Sequence, residues 1–399
     1  MRILKAGLLL IICAYTGFGA DFGVVLSAAP EYNSDGDTPF TLTGALSPWV
    51  SALFSPTLSL YVSAAAQLEY TDDGINPVVV ELDRTELNWR PVPSTFFQLG
   101  RQQFMDGVGL VAAGLFDGLQ GSLSLGRARL SLGAFYTGFL YKDRAKIFIT
   151  NHDSELYNRE LDYGDLKTYF ASRRVFIPIT AEFPDFTPRS SLGLNLAAQF
   201  DVNDEDENFL HSQYLEFYYR TDPVEFLHLS FAAVTEFVED TDLRMGFSAL
   251  AGADWELPTA LQDLLALQLR WSSGRMNDTI GPYLPVNRIA VGEIFSPGLT
   301  GLMYLKAAYT ARLHKTLSAE AGTGYFVRTD VETLGDKDLD PDSDSRFLGG
   351  ELFGSLAWAP QSALRLTAGG GVFFPEWGGA FVSGAGLRWK ASMGVMVSF

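Results

Sequence analysis

The architecture this 399-residue sequence predicts is all-β: a single closed antiparallel transmembrane barrel of about eighteen strands, with sixteen as the alternative count. Three observations carry it. The stretch from Leu387 to Phe399 alternates, with Leu387, Trp389, Ala391, Met393, Val395, Val397 and Phe399 on one parity and Arg388, Lys390, Ser392, Gly394 and Ser398 on most of the other. A soluble sandwich seldom needs so long a strand, whereas a tilted membrane-crossing strand needs about 9 to 11 residues. Next, hydrophobic residues make up 47% of the chain, yet past the N-terminal segment no uncharged run approaches the ~18 residues of a helical span. The longest apolar candidate, Leu257 to Leu269, is interrupted by Asp263. Last, short breaks and long acidic breaks between alternating runs mostly take turns, as tight turns at one end of a barrel and longer loops at the other require.

Taken in order, the chain opens with Arg2 and Lys5, an apolar run from Ala6 to Ile12, and the small residues Gly17, Gly19 and Ala20. That is the layout of a secretory signal over residues 1–19, cleaved after 19 or 20, with residues 20–399 forming the barrel. The run is too short for a helical anchor, which needs about 20 apolar residues. Cys13, the only cysteine, lies inside it, and bulky Ile12 argues against a lipidation site there. The mature chain then has no thiol chemistry.

The firmest strands are 58–70, 130–141, 192–200, 225–237, 264–271, 303–313, 317–327, 348–358, 364–374 and 387–399. Weakest are 22–30 and 166–182, where Arg173, Arg174 and Pro178 spoil the alternation; Pro178 is expected at a bulge or strand end. Short breaks fall at 55–57, 91–94, 126–128, 221–224, 314–316 and 360–363. Long ones fall at 31–39, 71–77, 142–165, 201–209, 273–297 and 329–345. Tyr70, Trp89, Tyr141, Trp255, Trp271, Tyr325 and Trp358 lie near run ends, as interfacial girdles of a lipid-embedded barrel demand.

Net charge is -18, about -20 once Arg2 and Lys5 leave with the signal, which excludes a nucleic-acid partner. The acid concentrates in the long loops, at Asp204 to Glu207 and at Asp336, Asp338, Asp340, Asp342 and Asp344. One reading is a solvated outer surface. The sharper one is Ca²⁺ binding: Asp340, Asp342, Asp344 and Glu351 match the first, third, fifth and twelfth EF-hand positions, but Ser345 replaces the turn glycine. No other cofactor is expected.

Parity sends Arg270, Lys306, Arg312, Arg365, Arg388 and Lys390 into the lumen, against Glu320 and Glu351 in the same sector. Cross-strand bracing is one role for them. Six cations facing two acids exceed what local pairing can neutralise, so the sector favours small polar or anionic solutes, including acidic sugars.

Leu99, Gly100, Arg101 and Gln102 end one alternating run, and Phe116, Asp117 and Gly118 open the next. This stretch resembles the Gly-Arg-Gln strand end and downstream Asp-Gly of eighteen-stranded outer-membrane porins of the alginate-export family. The resemblance implies a basic lumen that passes anionic polysaccharide, with Arg101 in it; the overall acidity of this chain departs from the family. Terminal Phe399 is similar to the closing signature of bacterial outer-membrane barrels, which implies the outer membrane as location and the barrel assembly machinery as partner.

Catalysis finds little support, since His152, His211, His228 and His314 are scattered and the 106–114 stretch is no phosphate cradle but a constriction loop or bulged strand end. The function expected is a porin or channel for passive passage. The alternatives are a surface adhesin or structural protein and a transporter of hydrophobic compounds.

Overall fold

The computed structural model describes residues 19–34, 39–203, 209–239 and 243–399; most of the signal segment and the run Asp204 to Glu207 lie outside these. The strands are β1 (Gly19–Asn33), β2 (Phe40–Ser55), β3 (Leu58–Thr71), β4 (Gly74–Ile75), β5 (Val79–Val92), β6 (Thr95–Met105), β7 (Ala113–Leu125), β8 (Ala128–Tyr136), β9 (Arg174–Thr187), β10 (Ser190–Asp201), β11 (His211–Val224), β12 (Leu227–Glu239), β13 (Leu243–Glu256), β14 (Leu264–Ser272), β15 (Leu302–His314), β16 (Leu317–Arg328), β17 (Phe347–Gln361), β18 (Leu364–Phe374) and β19 (Arg388–Ser398). All but β4 form the wall, each antiparallel to the one before. β4 only adds to β3, and β3 pairs on to β5. Closure comes from β19 on β1, through Leu26↔Val397, Ala28↔Val395 and Tyr32↔Ala391, with Phe399 N donating to the Val24 carbonyl at 3.0 Å. Eighteen wall strands settle the count against sixteen. No helix among the described residues is long and apolar enough to cross a membrane.

The two faces follow the period-two pattern. On β3, Leu58, Leu60, Val62, Leu68 and Tyr70 face outward, while Ser59, Tyr61, Ser63, Gln67 and Glu69 face inward. On β19, Trp389, Met393 and Val395 are exposed outward, and Arg388 and Lys390 face inward. An apolar outer belt on a closed sheet leaves no backbone edge for lipid to meet, so the barrel spans a membrane through its strands. A Lys introduced at Leu269, Ala391 or Val395 should therefore cost roughly 2 to 4 kcal/mol near the bilayer midplane, and one at Ser392 or Thr367 little. Urea titration of folding into lipid vesicles checks this; equal costs at both sets would overturn the face assignment.

Three expectations need correction along the wall. The 166–182 run is not one strand: residues 166–168 form a 3-10 turn, and β9 starts at Arg174. Pro178 is no strand end. It pairs with Ala197 of β10 in mid-ladder, while the β8–β9 ladder skips from Leu132↔Ile179 to Phe135↔Phe176 beside it, so its missing N–H falls in a gap. Likewise the break expected at 221–224 is strand, the turn lying just beyond Val224.

The long-loop end is not a solvated fringe. Residues 106–112 and 273–301 fold into the barrel, where Leu110, Val111, Tyr283, Val286 and Leu299 are fully buried against wall residues such as Phe116, Tyr214 and Phe326. Carboxylates of the wall and of loop 106–112 itself hold these loops by accepting backbone N–H groups, which would otherwise be stranded away from water. Asp106 accepts from Gly109, Leu110, Val111 and Ala112, at 2.6–3.1 Å. Glu236 accepts from Leu284 at 2.7 Å. Glu351, fully buried, accepts from Glu293, Ile294 and Phe295 and from the Tyr304 hydroxyl. The loops also bond one another, Val286 N to Val111 O at 2.8 Å and the Tyr283 hydroxyl to Leu110 O at 2.8 Å.

A third inward element, residues 137–173, closes a seam in the wall. The β5–β6 ladder runs up only to Thr85↔Arg101, whereas β6–β7 continues to Met105↔Ala113. Above that rung, the Tyr163 and Tyr169 hydroxyls donate to the free carbonyls of Val78 and Val80. Arg101 occupies the seam rather than the lumen. It shares the parity of outward-facing Leu99, pairs with Asp117 at 2.8 Å, and donates to the Leu82 and Phe139 carbonyls. The lumen role that the porin resemblance implied for it is thus replaced by a bracing one, because an interrupted ladder needs donors from side chains.

Candidate functional site

Among the described residues, the three inward loops border two openings at the long-loop end. One is a vestibule of about 590 Å³ between residues 148–154, 284–300 and 333–336. The other is a throat of about 970 Å³ between loop 137–173 and the inner wall, where Thr43, Gln67 and Glu69 face the cations Lys142, Arg144, Lys146, Arg159 and Arg288 and the carboxylates Asp143 and Glu160. Farther along the lumen, a smaller space of about 220 Å³ is lined by Glu293, Glu320, Phe353, Lys390 and Ser392.

The throat's cations are placed by local structure. The helical turn Lys142–Ala145 ends in Lys146, which takes a left-handed φ of 50° and stays exposed. The helix Asn151–Asn158 starts with a capping box, Thr150 accepting from Asp153 N and Asp153 accepting from Thr150 N. The same Asp153 carboxylate takes Arg174 at 2.7 Å, and Arg174 also meets Asp201 at 3.0 Å; all three are essentially buried. That triad anchors the helix to β9 and so fixes Arg159, which follows the helix. Leu140, Ala145, Ile147 and Ala171 form a small core of their own beneath. Arg288 is held through its backbone, its N–H donating to Lys146 O at 2.8 Å, and its guanidinium donates to Ser296 O at 2.7 Å.

Not all five cations are equally available. Arg144 pairs with Glu81 at 3.2 Å and Asp83 at 3.1 Å. Lys142 is buried, donates to the Arg159 carbonyl, and has its pKa lowered by burial, with Asp143 opposing. Tyr157 nearby is pushed up to about 12 by burial and by Asp143. Lys146, Arg159 and Arg288 are exposed and, among the described residues, form no ion pair with a carboxylate. Glu69, Asp143 and Glu160 line the same opening, so its edge is mixed, with cations in excess.

The residues expected to line the lumen divide. Lys306 pairs with Glu293 at 2.8 Å and lies 3.6 Å from Glu320. Lys390 meets Glu31 at 3.1 Å. Arg388 clamps loop 329–346 through Asp336 and Asp338, at 2.7 and 2.9 Å, with its guanidinium over Phe295 and Phe381. Acids from outside the sector thus reach three of its cations, Glu31 from β1, Glu293 from loop 273–301, and Asp336 and Asp338 from loop 329–346. Arg270 faces the lumen and donates to Gln268 at 3.0 Å. Arg312, at the short-turn rim, donates to Gln262 and to Lys315 O, and Arg365 is exposed near the same rim.

The Ca²⁺ spacing does not survive as geometry. Asp340 accepts from Asp342 N in a local turn, Glu351 is committed to loop 273–301, and among the described residues no cluster of three or more His, Cys, Asp or Glu side chains could hold a metal. His228 has both ring nitrogens engaged by carboxylates, Asp222 at 2.7 Å and Glu256 at 3.3 Å, which leaves neither for a nucleophile.

The inward course of loop 137–173 is hidden in the sequence because its stretch 142–165 reads as one more acidic break. The Lys-Asp-Arg-Ala-Lys run at 142–146 was the available signal, as was the apolar content of 283–295, which no solvated loop needs.

No protein-family model and no curated protein sequence matches the chain. Solved structures do. Pseudomonas aeruginosa OccK11 (OpdR) is similar over 95% of this chain and 96% of its own, at 11% identity and TM-score 0.61. The outer membrane protein opdK from Pseudomonas aeruginosa covers 95% and 98%, at 12% identity and TM-score 0.62. Pseudomonas aeruginosa OccK2 (OpdF), solved in complex with glucuronate, covers 96% and 99%, at 15% identity and TM-score 0.60. At such identities the likeness establishes the fold, that of bacterial outer-membrane barrels.

Proposed function

We propose that this chain is a bacterial outer-membrane channel that passes small anionic solutes, acidic sugars among them, after removal of a signal over residues 1–19. The observation that carries the reading is the throat: exposed Lys146, Arg159 and Arg288 edge the opening that the inward loops leave. The glucuronate bound to an OccK2 barrel of the same fold supports the solute class. Its partners are then the surrounding lipid, the solute and, through Phe399 on the closing strand, the barrel assembly machinery. A throat so charged suits hydrophobic compounds poorly.

Reversal potential under a salt gradient in planar bilayers tests this. Wild type should prefer anions, because throat charges act beside the permeating ion while outer acidic loops are screened over about 8 Å. Changing Lys146, Arg159 and Arg288 together to Glu should reverse the preference, and Arg312→Ser at the far rim should leave it. A cation preference untouched by the triple change would mean that the acidic loops govern.

A further inference from the structure

Below the throat, on the same strands, the inner wall carries a feature that ion selection does not require. One row of cross-strand neighbours runs Gly23↔Trp49↔Ser63↔Arg84 across β1, β2, β3 and β5, and the adjacent row places Tyr61 opposite Glu86. All these side chains fall on the lumen parity. A Cβ on Gly23 would lie 2.8 Å from the indole of Trp49, so the ring lies close against bare backbone that only glycine leaves open. Tyr61 continues this surface, its ring 6.2 Å from that of Trp49 and inclined by 19°. The Arg84 guanidinium lies 5.0 Å from the Tyr61 ring centre and pairs bidentately with Glu86, both bonds 2.7 Å; its side chain remains 47% exposed.

We propose that Trp49 and Tyr61 form a stacking platform for a pyranose ring, the exit-side subsite of the channel. A pyranose has a flat, weakly apolar C–H face and a polar edge. The aromatic surface meets the first, and Ser63, Arg84 and Glu86 supply donors and acceptors at its border for the second. The platform sits six residues from the β2 end at Ser55, roughly 15 Å above the short-turn rim at 3.3 Å per residue and a tilt near 40°. Solute leaving the throat beside Thr43 and Gln67 descends those strands to reach it. The inference rests on the channel reading for solute entry and adds that the ring, not only the charge, is recognised.

Glucuronate and gluconate separate the two properties, since both are monocarboxylates rich in hydroxyls but only glucuronate presents a closed ring. In single-channel recordings, wild type should hold glucuronate longer than gluconate. Trp49→Ala should shorten the glucuronate residence time by roughly fivefold and leave gluconate unchanged, with Trp49→Phe in between. If Trp49→Ala does not assemble, as judged by heat-modifiable gel migration, Tyr61→Ala is read the same way. A glucuronate-to-gluconate ratio equal to wild type in the assembled variant overturns the platform while leaving anion preference, and so the channel reading, intact. Loss of anion preference in wild type with a ring-dependent residence time would instead refute the charge reading and leave the platform standing.

Discussion

Glu351→Ala should release loop 273–301 from the wall and raise single-channel conductance severalfold, with loss of the steady open level. Three consecutive backbone N–H groups, of Glu293, Ile294 and Phe295, and the Tyr304 hydroxyl all donate to this one fully buried carboxylate. Its removal strands those donors inside the barrel, at a cost of about 3–5 kcal/mol for the group as a whole, since bonds to a charged acceptor contribute about 1.5–3 kcal/mol each and do not add independently. The loop can recover that energy only by moving to water, which opens the lumen it now fills. Glu351→Gln, which keeps one acceptor oxygen, should give a smaller change. Conductance in planar bilayers checks both, with gel migration confirming that the barrel is closed. An unaltered Ala variant would show that the packing of Phe295 against Phe326 and Phe373, rings 5.2 and 4.6 Å away, holds the loop unaided.

Arg174→Ala is the second large effect, and it acts on the opposite side of the throat. The guanidinium is fully buried between Asp153 and Asp201 and also donates to Leu210 O at 3.1 Å. Without it two carboxylates are left buried and uncompensated, a loss of about 3–5 kcal/mol. Asp153 organises the first turn of helix Asn151–Asn158, so the helix should detach and carry Arg159 away from the opening. The expected readout is higher conductance together with weaker anion preference, whereas Glu351→Ala should raise conductance through the other loop. Protease cleavage within residues 150–170 of the intact barrel offers a second measurement. Wild-type protection and selectivity in Arg174→Ala would show that the small core of Leu140, Ala145, Ile147 and Ala171 suffices to seat the element.

How much of this was legible before folding differs by residue. Trp389, Met393 and Val395 were placed on the outer face correctly, and so were Ser392 and Thr367 on the inner one, because a strand's period is fixed by its own backbone. Pro178 was misjudged because whether a missing N–H matters depends on the neighbouring strand's register, which β9 does not encode alone. Lys306, Arg388 and Lys390 fall in the lumen as their parity requires, but the acids that pair them, Glu293, Asp336 and Glu31, arrive from segments that the sequence assigns to loops, outside the sector it counts. Arg101 was lost to a ladder that stops early.

The sequence by itself determined the barrel: alternation sets which face meets lipid, the rhythm of short and long breaks sets antiparallel succession, and the alternating closing strand pairs with the first. Those are local properties, readable within ten or so residues. Only the tertiary structure decided what the barrel does with its interior. Loop 106–112 is turned by its own Asp106, but its docking on loop 273–301, the hold of Glu351 on loop 273–301 and that of Arg174 on loop 137–173 join residues distant in the chain, while the apolar residues of the loops leave water. The throat and its free cations exist as a product of that long-range pairing, which no window of sequence contains.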